Sequence, residues 1–496
     1  MNHFDSITLN KKNGQHLYIQ LYNNIKDLIK SGSIKSQSKL PPIRKLANIL
    51  EVNNVTVVSA YKLLEREGYV YKKVGSGTFV KDMNTRDIQN IVINEDVSSI
   101  GDNPNEYKKQ GNLNNVINFA STAPTPNLFP VNDFKQVINE VLDRDGGNAF
   151  VYQESQGYYP LRASIHQYLE GYNIKSNIND IQIISGAQQG IDILTKSLVD
   201  YGDIVFTESP TYTGAIAAFK SREAKIIEIP IKEDGIDIIS LENKLKNFRP
   251  KFIYVMPNFQ NPTGYTYSKE KKERILKLAK EYNTYIIEDD YLSDLKFNDN
   301  KSYTLKSIDE EDRVIYIKSF SKIFMPGLRL AFMIIPKAIY TDVLSAKHTS
   351  DIFTSGLIQR AFDIYLRKGI WKKHIINMET LYKKRLEKMT ESLKKHLPKN
   401  VKWGKPNGGL NFWISLPNGY SSNELYKLCS KNGIIFVPGS LFYVDQKDNQ
   451  HFRLSIASID WDEIDLSVKK LSNLIRQFLE DSNEGQIPMD VYTPFL

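Results

Sequence analysis

The sequence predicts an α/β protein in two parts, a small winged helix-turn-helix followed by a large domain on a mainly parallel sheet. Three observations carry this. Within residues 1–81, three helix-spaced apolar stretches precede two short strands. From about Leu113 onward, helical stretches alternate with short apolar runs. The excess positive charge is confined to the first part: 1–81 hold thirteen Lys/Arg and five Asp/Glu, a net of +8, so 82–496 hold 52 of each sign.

Apolar residues at Leu17, Leu21, Ile25, Leu28 and Ile29 predict a helix over 17–30, which Ser31-Gly32-Ser33 stops. Pro41-Pro42 opens a second helix with Ile43, Leu46, Ala47 and Leu50 on one face. A turn at Asn53-Asn54 leads to a third, from about Thr56 to Gly68. Tyr69–Tyr71 and Thr78–Val80 read as strands flanking Gly75-Ser76-Gly77. Residues 82–112 are rich in Asn, Asp, Lys, Gly and Ser without a period, and read as a linker. In the part that follows, taken as 113–480, the clearest strand candidates are Ile181–Ile184, Ile204–Phe206, Phe252–Val255, Tyr285–Ile287 and Val314–Ile317. Residues 481–496 read as a tail.

Length and composition narrow the function classes. A chain of 496 residues with 41% apolar content is expected to form two or three domains with a sizeable core. Cys429 is the single cysteine, so no internal disulfide can form, as suits a reducing compartment. No signal peptide is expected from Met1-Asn2-His3-Phe4-Asp5, and no apolar run has membrane-spanning length. A cytoplasmic protein without membrane contact and without a metal site is expected.

A basic module joined to a neutral one has the charge pattern of a nucleic-acid-binding segment, although a basic surface is by itself commonly just solvated. In a winged helix-turn-helix the third helix enters the major groove and the second braces it. The candidates for contacts with double-stranded DNA are Asn53, Asn54, Thr56 and Ser59 at the start of the third helix, able to reach base edges or phosphates. Arg44 and Lys45 on the second helix, and Lys72 and Lys73 in the wing, suit phosphates. Leu40-Pro41-Pro42-Ile43-Arg44-Lys45-Leu46-Ala47, the segment Ala60–Tyr69 and the wing Gly75-Ser76-Gly77-Thr78-Phe79-Val80 together resemble the GntR family of regulators over about 15–81. Pro42 stands where that family usually has Ser, and Asn54 where it usually has Arg, so its usual operator is not implied.

In the large domain, chemical groups gather at the carboxyl ends of the expected strands, where open α/β sheets bind ligands. Asn261 lies in Asn261-Pro262-Thr263-Gly264. Asp289 and Tyr291 follow the Tyr285–Ile287 run, and Ser319, Ser321 and Lys322 follow Val314–Ile317. Gly186-Ala187-Gln188 opens a helix whose N–H groups suit a phosphate. Ser319-Phe320-Ser321-Lys322, continued by Pro326-Gly327-Leu328-Arg329-Leu330, resembles the cofactor signature of fold-type I transaminases. Asn261–Gly264 and Glu288-Asp289-Asp290-Tyr291 match that family in the same order, over about 370 residues.

The resemblance implies a large domain with a smaller α+β domain, and pyridoxal 5'-phosphate as cofactor. Lys322 would carry the internal aldimine, and Asp289, with the adjacent Asp290 as alternative, would pair with the ring nitrogen. Asn261 and Tyr291 would hold the ring hydroxyl. Ser319, Ser321, Arg329 and the N–H groups around Ala187 and Gln188 would hold the phosphate. Tyr212, in Ser209-Pro210-Thr211-Tyr212, would stack on the ring, and Tyr152 would reach a phosphate in a neighbouring subunit. Arg453, in Phe452-Arg453-Leu454-Ser455, would clamp an amino-acid carboxylate.

A GntR-type winged helix joined to a transaminase-like domain is the plan of the MocR subfamily of regulators. The resemblance implies a homodimer that binds promoter DNA and answers an amino acid, an amine or pyridoxal phosphate through aldimine chemistry. A working aminotransferase with a secondary DNA-binding domain is the rival, and a scaffold with a dead cofactor site is disfavoured by the complete ligand set.

Overall fold

The structure is a computed structural model. It describes residues 4, 7, 9, 17–30, 33–34, 38–50, 52–66, 69–73, 77–80, 116–295, 297 and 303–483. The chain divides into two compact units, Met1–Val97 and Ser98–Leu496. The expected linker, 82–112, lies outside the described residues, as do 484–496 of the expected tail.

In the first unit, α1 (Leu17–Lys30), α2 (Ile43–Ile49) and α3 (Asn54–Arg66) precede the antiparallel pair β1 (Val70–Lys73) and β2 (Gly77–Val80). Leu21, Ile25, Leu46, Val57, Ala60, Leu64, Val70 and Val80 close a common apolar core. Residues 38–40 extend the hairpin: Leu40 N–H donates to Thr78 (2.8 Å) and Val80 N–H to Ser38 (2.9 Å). The Tyr61 hydroxyl donates to the Pro41 carbonyl at 2.8 Å, tying α3 to the Pro-Pro segment. Helix α3 begins two residues before the expected Thr56. The side chain of Asn53 accepts the N–H of Val55 at 3.2 Å, so what reads as a turn at Asn53-Asn54 is a helix cap followed by the first helical residue.

The second unit is built on an eight-stranded sheet in the order β4 (Ile181–Ile184), β11 (Ala331–Ile334), β10 (Val314–Ser319), β9 (Tyr285–Asp290), β8 (Phe252–Val255), β5 (Ile204–Ser209), β6 (Lys225–Lys232) and β7 (Gly235–Ile236). Strands β10, β9, β8, β5 and β6 run parallel, as helix-alternating apolar runs predict. Strand β11 is antiparallel to both β10 and β4. Its four apolar residues follow directly on the Pro326–Leu330 motif, which masks it as a strand in the sequence.

The helices flanking this sheet include α4 (Val131–Asp145), α5 (Tyr159–Glu170), α6 (Ala187–Leu198), α7 (Thr213–Ser221), α8 (Ile238–Asn247), α9 (Lys269–Glu281), α10 (Tyr340–Asp351) and α11 (Gly356–Arg367). The long α12 (Ile370–His396) then leads into the smaller α+β part. There β12 (Lys402–Trp403), β13 (Asn411–Ser415), β16 (His451–Ser455) and β15 (Val437–Pro438) form an antiparallel sheet with α13 (Ser422–Lys431) and α14 (Ile464–Asn483). A parallel pair, β3 (Ile117–Asn118) with β14 (Ile434–Ile435), brings the start of the unit to this smaller part. Among the described residues, no helix is long and apolar enough to cross a membrane.

Candidate cofactor site and nucleic-acid interface

The carboxyl ends of the parallel strands converge on one cluster. Strand β9 runs to Asp290, beyond the expected Ile287, so Asp289 and Asp290 are its last two residues. Side chains alternate along a strand, and the two carboxylates therefore face opposite sides. Asp290 is committed to the core. The Tyr316 hydroxyl (2.5 Å), Ser293 and the fully buried ammonium of Lys318 (3.3 Å) surround its Oδ2. Burial favours the neutral acid, but Lys318, Ser293 and Tyr316 outweigh it and hold the Asp290 carboxyl below its ordinary range. Lys318 also reaches Asp294 at 2.6 Å, and the hydroxyls of Tyr168 and Tyr172 donate to that carboxylate.

Asp289 is different. One oxygen accepts from the Tyr254 hydroxyl at 2.6 Å, while Oδ1 is buried without a hydrogen-bond partner. Burial pushes its carboxyl up to about 6, against the pull of the Tyr254 hydroxyl and the charges of Lys318 and Lys322. An orphaned carboxylate oxygen sealed from water calls for a donor, and a protonated pyridine nitrogen is a donor of the right charge. Sequence reasoning missed Tyr254. A tyrosine inside the apolar run Phe252–Val255 was the available signal, because a buried hydroxyl usually has a partner.

Tyr291 follows β9. Its hydroxyl donates to the Phe259 carbonyl and accepts the side-chain N–H of Asn411 at 3.2 Å. Burial raises its pKa far above the ordinary tyrosine value. Asn261, after β8, accepts Arg453 Nη1 at 2.8 Å. Arg453 Nη2 donates to Ala120 at 2.6 Å, and the guanidinium stands 5.3 Å from the centre of the Phe442 ring. The Asn261 turn is held from beneath by Gln260, which donates to Glu208 (3.0 Å) and to the Pro210 carbonyl (2.8 Å). Glu208 is fully buried and also takes the Tyr267 hydroxyl at 2.6 Å.

Of the phosphate candidates, Arg329 and the start of α6 lie together. Helix α6 starts at Ala187 with Gly186 in the cap position and no side chain capping it, which presents first-turn N–H groups to a ligand. Gly186 has φ +95°, and a Cβ there would lie 2.5 Å from Nη2 of Arg329. The positive φ favours glycine there, and any Cβ would push that guanidinium aside. Arg329 itself donates to the Ser185 carbonyl at 3.2 Å. The hydroxyl of Ser319 accepts the N–H of Ser321 at 3.3 Å, shaping the turn that carries the half-buried Lys322. The Gln188 side chain turns to the Gly214 carbonyl (2.9 Å) on α7. Burial and Asp289 raise the pKa of the Tyr254 hydroxyl well above its ordinary value, and Tyr212, just before α7, adds to the rise.

Tyr152 is not part of this cluster. It is 82% exposed, packs edge-on against Phe353 at 5.5 Å, and neighbours the exposed Phe150 and Val151.

In the first unit, Arg44 and Lys45 are exposed on α2, and Asn53, Asn54 and Val55 are exposed where α3 begins. Thr56 and Ser59 are half-buried. Lys72 and Lys73 lie on β1, with side chains outside the described residues. Val55, 66% exposed, was not singled out in the sequence.

Comparison with known proteins finds a family match for each part of the chain. The bacterial regulatory proteins of the gntR family match residues 17–80, and aminotransferase class I and II matches 114–471. The chain is 32% identical to aromatic-amino-acid aminotransferase 1 of Thermococcus litoralis, over 75% of this chain and 91% of that protein. It is 26% identical to the probable rhizopine catabolism regulatory protein MocR of Rhizobium meliloti, over 96% of each. It superposes with a TM-score of 0.70, at 30% identity, on the α-aminoadipate aminotransferase LysN of Thermus thermophilus, solved with N-(5'-phosphopyridoxyl)-L-leucine; the match covers 76% of this chain and 97% of that one. The chain therefore belongs to the aminotransferase class I and II family, in the form that carries a GntR-type helix-turn-helix ahead of a pyridoxal-phosphate domain.

Proposed function

We propose that the protein is a pyridoxal-phosphate-binding transcription regulator that binds promoter DNA and responds to an amino acid, an amine or pyridoxal phosphate itself. The observation that carries this reading is coverage. The enzyme relative aligns with 75% of the chain, the regulator with 96%. The domain boundaries adopted are 1–81 and 113–480, joined by the linker 82–112.

Pyridoxal phosphate supplies an aldehyde that exchanges amines and a ring that accepts electrons. Lys322 would hold the aldehyde, and the unpaired oxygen of Asp289 would accept the ring N–H. Asn261 has its oxygen committed to Arg453, so its amide nitrogen is the end that would donate to the ring oxygen. Arg329, the α6 N-terminus, Ser319 and Ser321 would hold the phosphate, and Tyr212 would cover the ring. Arg453 would take the carboxylate of an amino acid that displaces Lys322.

Arg44 and Lys45, with Lys72 and Lys73, would contact DNA phosphates. Asn54, Thr56 and Ser59 would face the groove, with Asn53 acting as the cap that orients them. Exposed Val55 suits contact with a thymine methyl. The exposed Phe150, Val151 and Tyr152 support a homodimer in which Tyr152 reaches the partner's site.

A second reading, a working aminotransferase, is favoured by the complete set of candidate ligands and the 32% identity to an enzyme. Operator retardation and steady-state turnover on the same preparation separate the two. The regulator reading expects specific retardation of the fragment upstream of its own gene, lost without residues 1–81, and turnover far below about 1 per second. Ordinary turnover with DNA binding indifferent to ligands would establish the enzyme.

A further inference from the structure

We propose that Asn411 reads a hydrogen-bond donor on the side chain of the amino acid that Arg453 holds. The site would then select effectors bearing a side-chain N–H or O–H over apolar ones of the same shape. The proposal rests on the reading of Lys322 and Arg453 given above.

Asn411 opens β13 and is fully buried. In the β13–β16 ladder it stands opposite Ser455, and Trp413 stands opposite Arg453. Directly opposed residues of an antiparallel pair share a face, and so do residues two apart. Asn411 is therefore the diagonal neighbour of Arg453 on the same face. Its backbone is fixed against the Asn261 turn, where a Cβ on Gly264 would lie 2.5 Å from the Asn411 carbonyl oxygen. Site residues thus bound it on several sides.

The orientation of the amide follows from chemistry. Tyr291 gives its proton to the Phe259 carbonyl, so its oxygen can only accept from Asn411, and the end of the amide facing it must be the nitrogen. Oδ1 is then left pointing away from Tyr291, buried and without a hydrogen-bond partner. A carbonyl sealed from water without a donor destabilises the fold in which it sits. A ligand that supplies the missing donor makes up that loss. An amino acid in this site has its carboxylate on Arg453 and its amine at the position of Lys322. The side chain is the part that remains to meet Asn411. A site built around a hydrogen bond discriminates strongly against the analogue that lacks it.

The test uses the full-length protein loaded with pyridoxal phosphate. Dissociation constants are read from the absorbance change for pairs matched in shape: threonine and valine, glutamine and methionine, lysine and norleucine. In wild type the donor-bearing member of at least one pair is expected to bind about tenfold tighter, the worth of one hydrogen bond. In Asn411→Leu that ratio should fall to within about twofold of unity while the cofactor band persists. Should that variant not fold, Asn411→Asp keeps the acceptor and adds charge, and is expected to raise the preference for lysine over norleucine by about tenfold. A ratio that survives Asn411→Leu, or stays unchanged in Asn411→Asp, overturns the proposal, as does a wild type that discriminates in no pair. If wild type forms no borohydride-trapped adduct at Lys322, the cofactor reading itself falls.

Discussion

Arg453 donates to the side-chain oxygen of Asn261 at 2.8 Å, joining strand β16 of the smaller sheet to the turn that follows β8 of the larger one. A residue expected to clamp a carboxylate thereby also orients one expected to hold the cofactor ring. Arg453→Ala should weaken binding of carboxylate-bearing ligands by about ten- to a hundredfold, the loss of a charge-assisted bidentate pair. Because Asn261 loses its anchor, cofactor affinity should fall as well. Arg453→Lys should restore neither, since one ammonium cannot replace a planar fork. Titration of the cofactor band with an amino acid, and with the amine lacking its carboxylate, reads both effects. Equal affinity for the amino acid in wild type and Arg453→Ala would place the carboxylate elsewhere.

The two adjacent carboxylates should separate cleanly by mutation. Asp289→Asn should fold, bind pyridoxal phosphate more weakly and shift its absorbance. Asp290→Asn removes one of the two carboxylates that hold buried Lys318, Asp294 remaining, and should lower stability by about 1.5–3 kcal/mol. Urea denaturation alongside cofactor titration distinguishes them. A stable Asp290→Asn protein with altered cofactor absorbance would reverse the two assignments.

Glu208 gives a dependence on pH. Burial pushes its carboxyl from 4.5 up to about 7, against the hydrogen bonds from Tyr267, Gln260 and Met256, and nearby Asp289 adds to the rise. The folded protein therefore holds this proton more tightly than the unfolded chain. The stability it contributes is fully present below about pH 4.5 and is lost as pH rises through about 7, on the order of 3 kcal/mol over that window. Glu208→Gln should flatten the fall in urea midpoint between about pH 5 and pH 8. Part of the slope should remain, because burial also raises Glu288 to about 7. An unchanged slope would show that Glu208 does not titrate there.

Much of the candidate site is legible in the sequence because its residues lie in local motifs at strand ends. Lys322, Arg329, Asn261 and the Gly186 helix start could each be placed from a few neighbours in sequence. What could not be read was the choice between Asp289 and Asp290. Lys318 and Tyr316 come from β10, and Tyr168 of α5 joins the network 126 residues before Asp294. Only the folded sheet shows which carboxylate these partners consume. Asn411 carries no motif, and its position matters only through the pairing of β13 with β16. The cap role of Asn53 was readable in principle, since Asn before a helical stretch is a start signal. Strand β11 was not, because four apolar residues after a loop motif carry no period of their own.

The central claim is that one chain couples amino-acid recognition at Lys322 to DNA binding. The most direct measurement is the affinity for the promoter fragment of its own gene, with and without an amino-acid panel, in wild type and Lys322→Ala. A ligand can shift DNA binding only if it binds the two states differently. At least one amino acid is expected to change operator affinity in wild type by about fivefold or more. Lys322→Ala should show no change, and DNA affinity in both should fall steeply with salt. Operator binding that ignores every amino acid in wild type, or responds equally in Lys322→Ala, would contradict it.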